Sequence, residues 1–194
     1  MKKLRKILPK GFDEAYEKMQ IWFFSYPNKE TTLSGIAKET KISKTTANKV
    51  ITRLREEGFL IVKEVGKSWL ISCNAHHIYN TTRKIIYNLS IIYDAYEIFL
   101  RDSIHDYVAN PVSVILFGSY RKGDDIEKSD IDIAVEVLGD QKTEVIEMGK
   151  FEVFGLRRDV VINLHIFSRK NVDINLFSNI ANGIILDGFL EVRP

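Results

Sequence analysis

The apolar positions at the start of the chain recur with a helical period. Over residues 13–25, beginning at Asp13, the apolar side chains Ala15, Tyr16, Met19, Trp22 and Phe23 fall three and four apart, which predicts an amphipathic helix ended by Pro27 and Asn28. Leu33, Ile36 and Ala37 mark a second, brief helix. Ser43 suits the N-cap of a third, whose inner stripe is Ala47, Val50, Ile51 and Leu54 and which stops at Gly58. Runs rich in Ile, Val, Leu, Phe and Trp over 59–65 and 68–73 flank Gly66-Lys67 and predict a β-hairpin. From 75 to 108 the pattern turns helical again, with Ile78, Ile85, Ile92 and Phe99 seven apart and Leu89 and Tyr96 between them. This reads as one long connecting helix, whose seam can pack on its neighbouring domain or on its twin in a homodimer.

Beyond Asn110-Pro111 the period changes to two. A β-branched run over 112–117 leads straight into Gly118-Ser119, and ten residues after Ser119 stands Ser129-Asp130-Ile131-Asp132-Ile133-Ala134-Val135. On a strand, Asp130 and Asp132 share one face while Ile131 and Ile133 take the other. Two carboxylates on one side of a strand repel each other, and a divalent cation between them removes that cost. Residues 160–167 form the best later strand, 172–181 a closing helix and 183–188 a final β-like segment.

Composition narrows the class without naming a reaction. The chain has 194 residues, 45% hydrophobic and 28% charged, enough for one or two packed domains. No apolar run approaches the roughly 18 to 20 residues needed to span a bilayer, and the Lys-rich start runs into Pro9 and Gly11, so a cytoplasmic location without membrane association is expected. The one cysteine, Cys73, follows an apolar strand pattern and reads as a packed residue. Residues 1–74 carry 15 Lys/Arg against 8 Asp/Glu, whereas residues 75–194 carry 13 against 18. A basic part joined to an acidic one suits a polyanion binder beside a metal binder.

Two resemblances add to this reading. The order helix, helix, helix, hairpin, with Lys41 and Ile42 in the turn, resembles a winged helix-turn-helix. That likeness implies DNA binding, with Lys44, Thr45, Thr46, Asn48, Lys49 and Arg53 on the third helix and Lys63 and Lys67 on the wing. Leu116-Phe117-Gly118-Ser119-Tyr120-Arg121-Lys122-Gly123 followed by Ser129-Asp130-Ile131-Asp132-Ile133 resembles the minimal nucleotidyltransferases of the DNA polymerase beta superfamily. The expected fold is therefore α+β: a winged helix over 1–74, a connecting helix over 75–109, and a mixed sheet flanked by helices over 110–194.

The second resemblance also implies roles. Gly118 and Ser119 would hold a nucleoside triphosphate, Arg121 and Lys122 would add positive charge near its phosphates, and Asp130 and Asp132 would coordinate Mg²⁺. The superfamily has a third acid on a later strand. Aligning Leu164-His165-Ile166-Phe167-Ser168 with that stretch puts His165 in its place, with Asn163 facing the same way. Neutral His165 can accept a proton or bind metal but brings no negative charge, so altered and lost catalysis both stay open. Asp159 is the alternative third acid if the register slips by an even number of residues.

The expected activity is Mg²⁺-dependent transfer of a nucleoside monophosphate, most simply from ATP, to an acceptor hydroxyl, coupled to a DNA-binding module. A partner protein is a reasonable acceptor. The alternative is a DNA-binding regulator, or an antitoxin-like protein, whose nucleotidyltransferase domain senses nucleotide without turning it over.

Overall fold

A computed structural model of the chain describes residues 14–66 and 68–192. Asp13, expected to open the first helix, and Lys67, expected in the hairpin turn, lie outside the described residues.

The N-terminal elements follow the local signals. Helix α1 (Glu14–Ser25) buries Tyr16, Met19, Trp22 and Phe23, the stripe read from the sequence. Helix α2 (Leu33–Thr40) starts where the Thr32 hydroxyl accepts the Gly35 N–H and ends at Lys41 in the left-handed region. Helix α3 (Lys44–Glu56) starts where the Ser43 hydroxyl accepts the Thr46 N–H at 3.0 Å, a cap worth about 1 kcal/mol. Its Ala47, Val50, Ile51 and Leu54 are buried. Strands β1 (Leu60–Val65) and β2 (Ser68–Cys73) pair antiparallel, and a bridge from Thr31 to Ile71 lays a third segment beside them. Helices and hairpin close on one core, to which Cys73 belongs. Burial pushes the Cys73 thiol up to about 11, as suits a packed residue.

The following helix departs from expectation. Residues 75–82 form turns, and the helix begins at Arg83, running through α4 (Arg83–Ala95), a π-helical segment (Tyr96–Leu100) and α5 (Arg101–Tyr107). Its inward positions are Lys84, Asn88, Ile92, Tyr96, Leu100, Ile104 and Val108, every fourth residue. In an α-helix that spacing drifts about 40° per step, and a wider π turn brings the stripe back toward the surface it covers. The heptad seam coincides with this stripe only at Ile92 and Tyr96, whereas Ile78 and Phe99 are 60% and 43% exposed. The two polar residues that open the stripe, Lys84 and Asn88, hid the true face.

The remaining strands form one mixed sheet in the order β5-β6-β4-β3-β7. Strand β3 (Ser113–Phe117) leads into helix α6 (Gly118–Lys122), and β4 (Ile131–Val137) returns antiparallel beside β3. Strand β5 (Glu144–Phe154) and strand β6 (Arg157–Ser168) form a hairpin that sets β6 parallel to β4. Helix α7 (Ile174–Ala181) then precedes β7 (Ile184–Gly188), which pairs with β3. One face of the sheet, with Val114, Leu116, Ile133, Val135, Leu164 and Ile166, packs against α4, the π segment and α5. On the other, Ile115, Phe117, Ala134 and Phe167 lie under Ile180 of α7 and Leu190. Among the described residues no helix is long and apolar enough to cross a membrane.

Candidate functional site

The site forms where α7 leaves the second face of the sheet uncovered. Strand β3 ends in extended backbone at Phe117, and the chain turns at once into α6 through Gly118, whose φ is +73°. A Cβ there would stand 2.5 Å from Oδ2 of Asp132, so the position demands glycine both for its backbone angle and for its space. Across the sheet, Phe117 pairs with Asp132 of β4, and Asp132 pairs with Asn163 of β6.

Hydrogen bonds gather the two acids on one side. Asn163 Nδ2 donates to Asp130 Oδ2 at 3.3 Å, and His165 Nε2 lies 3.1 Å from Asp132 Oδ1. Asn163 and His165 are two apart on β6 and so face the same way. Ile131 and Ile133 are fully buried on the opposite face, as the alternation required. The His165 ring meets Phe117 edge to face at 4.9 Å, and its Nδ1 is sealed from solvent without a partner among the described residues. A proton on Nε2 therefore makes the bond to Asp132, and the bare Nδ1 is the less costly atom to leave unmatched inside.

The register also settles which β6 residues accompany the acids. Asn163 stands directly opposite Asp132, and His165 opposite Ala134, one same-side step further. Asp159 does not reach the site: it is exposed, has φ +54°, and precedes Asn163 by four residues, roughly 13 Å along a strand. The register slip that would have brought it in does not occur. Arg121 is half-buried, its Nε without a partner among the described residues, and Lys122 is exposed at the end of α6.

The loop between α6 and Asp130 is anchored from below by a buried charge cluster that sequence reading missed. Asp125 is fully buried and meets Arg157 Nη2 at 2.7 Å, Asn88 Nδ2 at 2.8 Å and Lys84 Nζ at 3.3 Å. Arg157 also donates to the Ile126 carbonyl at 2.9 Å, and Ser129 Oγ accepts from the Ile126 N–H at 2.9 Å. Burial pulls the Lys84 ammonium below its ordinary range, and the Asp125 carboxylate opposes that.

Among the described residues no group of three or more His, Cys, Asp or Glu is arranged to hold a metal ion.

On α3, Lys44, Thr45, Asn48 and Lys49 are exposed, while Thr46 is half-buried and bonded to the Ser43 hydroxyl. Lys44, Thr45 and Asn48 line, with Ser34, Ser68 and Trp69, an open cavity of about 520 Å³. Arg53 is turned away from it, donating to Glu57 at 3.0 Å and stacking on Tyr16. Lys63 is exposed on β1.

No curated protein and no solved structure matches the chain. Residues 100–181, which hold Gly118, Ser119, Asp130, Asp132, Asn163 and His165, match the family model described as Nucleotidyltransferase domain, and this match supports a transferase whose general activity is nucleotidyl transfer.

Proposed function

We propose that this protein transfers a nucleoside monophosphate from a nucleoside triphosphate, ATP in the simplest case, to an acceptor hydroxyl in a Mg²⁺-dependent reaction. The observation that carries the reading is the close approach of the Gly118 turn to Asp132, with Asp130 on the same side. A triphosphate lying against the Gly118-Ser119 backbone then meets both carboxylates. Asp130 and Asp132 would hold Mg²⁺, which when bound offsets the charge on the phosphates. Ser119 donates a hydroxyl, and Arg121 and Lys122 add positive charge on the same turn. Asn163 and His165 keep the carboxylates oriented through their hydrogen bonds.

Calorimetric titration with ATP and Mg²⁺ tests this, paired with release of pyrophosphate. The double variant Asp130→Asn with Asp132→Asn is expected to abolish both. Binding and release that survive it would sink the assignment.

A second reading has its own support. Asn163 and His165 occupy the ground where a third carboxylate is expected, and an exposed basic α3 followed by a hairpin suits a winged helix on DNA. In that reading the chain is a DNA-binding regulator, or an antitoxin-like protein, that senses nucleotide without turning it over. Nucleotide binding without pyrophosphate release, against every protein or RNA acceptor supplied, would favour it. The division into a winged helix over 1–74, a connecting segment over 75–109 and a catalytic unit over 110–194 belongs to both readings. A partner protein as acceptor and a homodimer remain compatible with either.

A further inference from the structure

The row of paired residues that contains Asp132 does not end at β6. Asn163 pairs on its far side with Glu147 of the edge strand β5, so Phe117, Asp132, Asn163 and Glu147 form one line across β3, β4, β6 and β5. Residues paired in this way share a face. The neighbours of Glu147, Ile146 and Met148, pack against the core on the opposite face, which agrees with that direction. A register shift between Glu147 and Gly149 marks a bulge beside the glutamate, a device that re-aims side chains next to active sites. Glu147 is exposed, and its carboxylate has no hydrogen bond or ion pair among the described residues.

The order along this line matters for an in-line displacement. With the triphosphate against Gly118-Ser119, the departing pyrophosphate lies on the β3 side of Asp132. The attacking oxygen must then approach from the other side, over β6 and β5. A group that takes the proton from the acceptor has to stand there too. Asn163 is not a base. His165 already uses Nε2 on Asp132, and its Nδ1 is sealed from solvent, so neither ring nitrogen can reach an incoming hydroxyl. Glu147 is two strand spacings from Asp132, roughly 10 Å, which leaves room for a hydroxyl over Asn163 between them.

Resting on the transferase reading above, we propose that Glu147 is the general base of the reaction, and that acceptors enter across the open β5 edge. The acceptor O–H gives its proton to the Glu147 carboxylate while its oxygen forms a bond to the α-phosphorus. The bond from that phosphorus to the bridging oxygen breaks, and pyrophosphate leaves with the electron pair.

The test compares the full chain with Glu147→Gln, Glu147→Asp and Glu144→Gln. Pyrophosphate release from ATP and Mg²⁺ is followed with water and with a peptide pool containing serine, threonine and tyrosine as acceptors. ATP affinity is read separately by calorimetry. Glu147→Gln is expected to slow release on the order of 100-fold, a usual share for one general base, with ATP affinity unchanged within about twofold. Glu147→Asp recovers part of the rate, and Glu144→Gln leaves it intact. Wild-type release with an undiminished Glu147→Gln overturns the base alone. Wild-type ATP binding without release to any acceptor overturns the base together with the transferase reading.

Discussion

Gly118 and Asp132 are in contact so close that a single added methyl group would fall 2.5 Å from the carboxylate Oδ2. The glycine also has φ +73°, a region that costs an L-residue roughly 1–2 kcal/mol. Gly118→Ala therefore both strains the turn and pushes Asp132 aside. We expect ATP affinity in the presence of Mg²⁺ to fall by more than about tenfold, with about 1–3 kcal/mol lost in denaturant unfolding. Gly139→Ala is the control, since Gly139 has φ +113° but open space around it. It should lose stability without losing nucleotide. Equal ATP affinities for the two variants would refute the steric argument.

The cluster below the site gives a stability prediction. Asp125 stands between Lys84 and Arg157, all three nearly inaccessible to water. Removing the carboxylate strands two buried cations, and breaking such a pair typically costs about 3–5 kcal/mol. Asp125→Ala should lose that much in urea unfolding. Replacing the exposed Asp124 by Ala should cost under about 0.5 kcal/mol. If the two variants unfold at the same urea midpoint, the cluster contributes nothing.

Four tyrosines set the alkaline limit. Burial pushes the phenols of Tyr16, Tyr87, Tyr96 and Tyr120 upward, with Tyr96 reaching about 12 beside Asp187. The unfolded chain releases phenolic protons near pH 10, and the folded chain keeps these four. Above pH 10 the unfolded state thus binds fewer protons, and stability falls as pH rises. Lys84, depressed by burial, works the other way below its ordinary 10.5, but it is one group against the four phenols and the Cys73 thiol. Absorbance of tyrosinate should lag behind pH until unfolding releases it, and a smooth titration of all tyrosines near pH 10 would contradict this.

The basic helix gives a prediction in salt. If α3 meets DNA, Lys44→Ala with Lys49→Ala should weaken binding to a random duplex and lower the slope of log affinity against log salt by about 2. Arg53→Ala should change that slope little, because Arg53 is already held by Glu57 and Tyr16. An unaltered slope in the double variant excludes α3 as the contact.

The sequence alone was sufficient wherever the deciding interaction is local. Ser43 caps α3 within three residues, and the period-two run around Asp130 sends Ile131 and Ile133 inward whatever lies beyond them. What only the tertiary structure decided is which strand docks where, and at what register. Period two gives the side on which Asn163 and His165 point, but not that Asn163 is the one opposite Asp132. It also misses β5, whose alternation is broken by the bulge near Gly149, and with it the line that brings Glu147 toward the acids. Lys84, Asn88 and Asp125 look like solvated residues along the chain. Only the folded arrangement shows that each is buried against a partner of opposite charge or matching hydrogen bond, because burial of a charge depends on neighbours distant in sequence.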